Sequence, residues 1–144
     1  MNERSEISQY RLEDIEPGIT QNFSVRVTEA MINEYAKLTG DFSPIHMDEE
    51  YARTTKFGQR ICHGMLLSSF FSRLIGMHLP GKNGLLLSYS LRHLLPCYVN
   101  QVIVVEGTVL GKSPATRVIT LKAVVKNSLG KVLVDGVLKV IVRE

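Results

Sequence analysis

Residues 39–65 read TGDFSPIHMDEEYARTTKFGQRICHGM, and this stretch carries most of what the sequence says about fold and chemistry. It sets an acid, Asp41, five residues before an imidazole, His46, and then brings His63 and Gly64 to the head of an apolar run. A carboxylate can hold or deprotonate a water. An imidazole, with a reference pKa of about 6.5, takes and returns a proton near neutral pH. Pro44 fixes its own φ and biases Ser43 toward extended backbone, so the segment between acid and imidazole is expected to be a rigid, non-helical loop. Such a loop aims both side chains at one point. Taken alone the spacing is unspecific, because an Asp41 that caps the turn after Gly40 and a His46 packed under the loop would look the same.

The apolar run itself is more specific. ICHGMLLSSFFSRLIGMHL, residues 61–79, is apolar nearly all round, carries Arg73 and His78, and stops at Pro80-Gly81, which predicts a buried helix over 63–78. Ser68, Ser69, Ser72 and Gly76 recur at three- and four-residue spacing, so one face lacks bulk and lets a sheet or a substrate chain approach. Gly64 stands near the helix N-terminus, where a backbone N–H is unpaired, sits at the positive end of the dipole and has no side chain shielding it. Such a donor binds a carbonyl oxygen that becomes an enolate.

On Gly40, Asp41, Pro44, His46, Asp48, His63, Gly64 and Met65, the run from residue 35 to 81 resembles the signature of the MaoC-like, (R)-specific enoyl-CoA hydratases, a hotdog-fold family. The pattern is approximately GD-x-NP-x-H-x-D, followed some fifteen residues on by HGM and a long central helix. One position departs, since Ser43 stands where the family carries Asn; it keeps a polar side chain. The resemblance implies reversible addition of water to trans-2-enoyl thioesters, with proton transfer by Asp41 and His46. It also implies supporting roles for Ser43, for His63 at the loop or helix entry, and for Ser72 as a residue that orients Asp41.

Composition agrees with one domain spanning residues 1–144. The chain is 44% hydrophobic, enough to bury its own core, with no linker, repeat or low-complexity tract. Residues 1–18 are polar and charged and lack the apolar stretch of a signal peptide, and no run reaches transmembrane length without charge, so a cytoplasmic protein without membrane association is expected. Cys62 and Cys97 lie in apolar surroundings and read as buried free thiols of a reducing compartment. A formal charge of +3 from scattered Lys and Arg does not suggest a nucleic-acid surface. It suits a phosphate-rich ligand or an acidic carrier.

Elsewhere, residues 19–27 alternate as a half-buried strand, with Phe23, Val25 and Val27 on one face. Thr28 is the N-cap of a helix over 29–39, stapled by Val27 against Ile32 and stopped at Gly40. Asp48 caps a second short helix. Segments near 85–95, 99–111, 116–127 and 131–143 read as β-strands, with turns at 112–115 and 128–130. In the last strand Val132, Val134, Leu138, Val140 and Val142 are expected to face inward. Long antiparallel strands need cover on one face, and the helix over 63–78 is the segment hydrophobic enough to supply it. The fold class is therefore α+β, an antiparallel sheet wrapped around a long central helix, which is also what the hotdog resemblance implies.

The expected activity is hydration of an acyl thioester of coenzyme A or acyl carrier protein, without cofactor or metal, in a homodimer or higher oligomer. A hotdog thioesterase would bind the same substrates but commonly needs an acid on the central helix, and 63–78 contains no Asp or Glu. A metal site of Asp41, His46 and Asp48 suits divalent ions chemically but lacks a diagnostic spacing. A non-catalytic acyl-CoA-binding module would be marked by loss of the acid or the imidazole, and this chain keeps both.

Overall fold

The computed structural model describes residues 6–144. Five strands form one antiparallel sheet: β1 (Thr20–Arg26), β2 (Gly84–His93), β3 (Val102–Ser113), β4 (Val118–Asn127) and β5 (Val132–Val142). Their order across the sheet is β1-β3-β4-β5-β2, so β1 and β2 form the two edges. Four helices lie in the connection between β1 and β2: α1 (Glu29–Thr39), α2 (Pro44–Met47), α3 (Glu49–Arg53) and α4 (Gly64–Arg73). A π-helical turn, Leu74–His78, extends α4, so the central helix covers nearly the span the sequence predicts.

One face of the sheet holds α4 because alternation in the strands supplies an apolar surface for it. Leu66, Leu67, Phe71, Leu74 and Ile75 join Val105, Ile119, Leu121, Leu138 and Val140 in one buried cluster. Each fully buried aliphatic side chain contributes about 1.5–3 kcal/mol relative to exposure. Close approach is written into β3: a Cβ at Gly107 would lie 2.7 Å from Leu74 Cδ2. Sheet and helix together make the expected hotdog arrangement.

Local signals explain the helix ends. Thr28 Oγ1 accepts the Met31 N–H at 3.2 Å and Gly40 closes α1 at φ 82°, a left-handed conformation favourable to glycine. Val27 and Ile32 are both fully buried. Asp48 caps α3 by accepting the Tyr51 N–H at 3.1 Å.

The structure corrects three local expectations. Residues 44–47 are one turn of helix, not an irregular loop: Ser43 is extended, at φ −51° and ψ 133°, but Pro44 occupies the first helical position, where its missing N–H costs nothing. In β5 the pairing slips between Val125–Val134 and Lys126–Val132, so Leu133 is the extra residue and is buried beside Val134, while Val132 is only half-buried. The turn expected at 112–115 falls at 114–117, because Lys112 and Ser113 still pair with Ile119 and Val118. Arg117 takes the left-handed conformation there, at φ 59°.

Candidate active site

The loop after α1 is shaped by its own side chains. The Asp41 N–H donates to Thr39 Oγ1 at 3.3 Å, and Asp41 Oδ1 accepts the Ser43 N–H at 3.1 Å, an Asp turn that holds the carboxylate at the surface. His46 rides on α2, which Pro44 starts. Its Nδ1 lies 2.8 Å from the Ile61 carbonyl oxygen. A carbonyl can only accept, so Nδ1 carries the hydrogen and the neutral ring presents the Nε2 lone pair.

His63 lies beneath His46. It is 2% exposed, and its Nε2–H donates to the Asp41 carbonyl oxygen at 3.0 Å. The two imidazoles stack with centroids 4.1 Å apart, and Tyr35 tilts against His63 at 4.8 Å. Burial, first of all, holds the His63 pKa below its ordinary value; the hydrogen bond to Asp41 opposes this, and the neighbouring His46 adds to it. The roles separate accordingly: His63 grips the backbone that carries the acid, and His46 faces the cleft.

Carboxylate and ring nitrogen atoms of Asp41, His46 and His63 lie within 4.8 Å of one another. One water at about 2.8 Å from each partner spans such a gap. The same cluster suits an ion poorly. In-plane lone pairs of rings inclined by only 29° run nearly parallel and do not converge at the roughly 2.1 Å an ion requires. Asp48, the third ligand weighed from the sequence, is engaged as the cap of α3.

Gly64 heads α4, and as the first helical residue its N–H has no partner within the helix. A Cβ at this position would lie 3.1 Å from His93 Nδ1. His46, Gly64 and His93 line one cleft of about 400 Å³, with Lys56, Phe57 and Pro96 also on its wall. A second cavity of about 500 Å³ lies between α4 and β2, where Ser72, Met65, Gly76, Leu86 and Tyr89 meet. Ser72 is exposed there, while the hydrogen bond to the Asp41 carboxylate comes from the Ser43 backbone.

Sequence reasoning missed two contributors. Arg60 is buried, and its guanidinium reaches the His46 carbonyl, Glu29 Oε1 at 3.0 Å and Asn33 Oδ1 at 3.0 Å, tying α2 to α1. Its only signal was a charged residue inside the apolar approach to His63. His93, on β2, packs on Gly64, a contact between distant segments that no local pattern announces.

Comparison with known proteins agrees with this geometry. The model of the MaoC like domain matches residues 13–130. The chain belongs to the MaoC-like family. Among its relatives, the (R)-specific enoyl-CoA hydratase of Aeromonas caviae is 36% identical over 124 residues, 86% of this chain and 92% of that one. The protein of the same description from Rhodospirillum rubrum is 33% identical over 86% of this chain and 85% of its own. Of solved structures, the R-hydratase PhaJ1 from Pseudomonas aeruginosa superposes with a TM-score of 0.91 at 31% identity, covering 96% of this chain and 88% of that one. The MaoC-like match takes in Asp41, His46, His63 and Gly64 and stops before β5, whereas the structural likeness covers 96% of the chain.

Proposed function

We propose that the chain is an (R)-specific enoyl-CoA hydratase that adds water reversibly to trans-2-enoyl thioesters. The observation that carries this function is the pair of Asp41 and His46 at single-water separation, with Nδ1 of His46 tied to a carbonyl so that a basic Nε2 is presented. Asp41 accepts one hydrogen of the water and orients it. His46 Nε2 takes the other as the water oxygen bonds to C3, and the resulting imidazolium returns a proton to C2. The Gly64 N–H, at the positive end of α4, receives the thioester oxygen as it gains enolate charge. Ser43 and His63 hold the Asp41 loop.

In this scheme the acyl chain occupies the apolar cavity beside Ser72 and the carrier arm the cleft rimmed by Lys56, for coenzyme A or acyl carrier protein alike. The active form is a homodimer. Support comes from β2, a ten-residue edge strand that exposes Leu85, Leu86, Leu87 and Tyr89 beside Met65 of α4. No helix among the described residues is long and apolar enough to cross a membrane. The free thiols of Cys62 and Cys97 support a reducing, cytoplasmic setting. An absorbance assay of purified protein against trans-2-enoyl thioesters of graded chain length, on both carriers, tests the proposal. Loss of the enoyl chromophore is expected, and release of free thiol without hydration would favour a thioesterase.

A further inference from the structure

We infer that Cys62 and Cys97 form an oxidisable dithiol that a hydroperoxide converts to a disulfide, and that this bond slows the adjacent site. The antiparallel bridge between Ile61 and Tyr98 sets Cys62 directly opposite Cys97, and the Cys62 N–H donates to the Cys97 carbonyl oxygen at 2.7 Å. Opposed residues of antiparallel strands have Cα atoms about 4.5–5.5 Å apart, within the about 4.4–6.8 Å that a disulfide spans. Both cysteines are buried, and both lie on the wall of the cleft that holds His46 and Gly64, which gives a small oxidant its route. Neither thiol takes part in hydration.

Either thiol can begin the reaction. The thiolate of one attacks the peroxide O–O bond, giving a sulfenic acid and releasing the alcohol, or water from hydrogen peroxide. The sulfur of the other then displaces water from the sulfenic sulfur. In sum, two thiols lose two electrons and two protons, and the peroxide is reduced to an alcohol and water.

The consequence passes through one residue. Ile61, which precedes Cys62, supplies the carbonyl that fixes His46 Nδ1, and His63 and Gly64 come directly after Cys62. To form the bond the two sulfur atoms must close to about 2.05 Å, dragging this segment with them. Displacement near 1 Å costs a positioned group up to about a hundredfold in rate.

The test treats the purified full chain with stoichiometric hydrogen peroxide, then measures intact mass, peptide mapping and enoyl-thioester hydration before and after dithiothreitol. The expected result is loss of two hydrogens, a peptide joined through Cys62 and Cys97, at least about a tenfold fall in hydration, and recovery with dithiothreitol. Cys62→Ser and Cys97→Ser, each compared with its own untreated rate, should gain no cross-link and keep that rate. A sulfinic or sulfonic acid without the cross-link, a bond between separate chains, or a cross-link with unchanged turnover overturns the proposal. Only the rate measurement rests on the hydratase function. Should the untreated protein hydrate nothing, that function fails, while mass and mapping still decide whether the dithiol closes.

Discussion

His46 Nδ1 and the Ile61 carbonyl oxygen stand 2.8 Å apart across fifteen residues of chain, and this one contact determines which nitrogen of the imidazole can act as a base. The same stretch, at Ile61, bridges to Tyr98 ahead of β3, so the tautomer of a residue on α2 is set by the segment that leads into that strand. A hydrogen bond to backbone also leaves no side chain whose loss could reverse the assignment.

Removing either member of the proton-handling pair should abolish most turnover while sparing the fold. Asp41→Asn and His46→Ala are each expected to lower hydration by about a thousandfold or more, in the upper range for lost acid or base groups. Asp41 is exposed and His46 only half-buried, so neither truncation opens a core cavity. Steady-state kinetics with circular dichroism decide the matter. Near-normal turnover in either variant, or loss through unfolding alone, refutes the roles.

Gly64→Ala distinguishes an oxyanion donor from mere packing. The new Cβ would sit 3.1 Å from His93 Nδ1, but His93 is exposed and can swing aside, so the melting temperature should fall by only a few degrees. kcat/KM should fall about ten- to a hundredfold as the added methyl crowds the approach to the N–H. The double variant Gly64→Ala/His93→Ala removes the clash. Recovery of stability without recovery of rate is expected; recovery of both would make Gly64 a packing residue.

Much of this site was legible because it rests on local chemistry. Asp41 and His46 stood out through the resemblance to the MaoC-like signature, Gly64 through its place at the head of an apolar helix, and caps at Thr28, Gly40 and Asp48 fix helix ends through bonds within a few residues. What escaped depends on distant segments. Arg60 meets Glu29 and Asn33 only once α1 has folded back over the loop, and His93 reaches Gly64 only when β2 lies beside α4. Leu133 is hidden for a related reason: one slip in pairing with β4 inverts the expected alternation of β5 at its start.

The protein should be a dimer at micromolar concentration. β2 leaves one side of its backbone unpaired and exposes Leu85 and Tyr89 at about half of their surface, 54% and 58%. Pairing with a second copy satisfies both needs. Light scattering should give twice the chain mass, and Tyr89→Asp should shift the population toward monomer. A monomeric wild-type mass would remove the dimer from the proposal.

Stability should fall as the solution is acidified below neutrality. Burial holds the folded pKa of His63 below the value near 6.5 at which the unfolded residue titrates, and His78 is lowered for the same leading reason. Between folded and unfolded values the unfolded chain binds the extra proton, so protonation favours unfolding and the stabilisation present above about pH 6.5 drains away below it. Urea midpoints at pH 7.5 and 5.0 should show this decline, with a shallower one in His63→Gln. An equal decline in both proteins would show that His63 does not contribute.

Hydration should be syn and give the (R)-3-hydroxyacyl thioester. Asp41 and His46 project from one short segment, so they address a single face of a flat enoyl group whose carbonyl is held at Gly64. If His46 takes a proton from the attacking water and returns it to C2, hydroxyl and hydrogen arrive from the same side. The hand rests on the likeness to (R)-specific hydratases, and the syn geometry on the shared water. Crotonyl thioester incubated in deuterated water, with chiral chromatography and NMR of the product, separates the two claims. An (S) product would contradict the specificity carried over from the relatives, whereas an (R) product with anti placement of deuterium would leave specificity intact and remove the single-water mechanism.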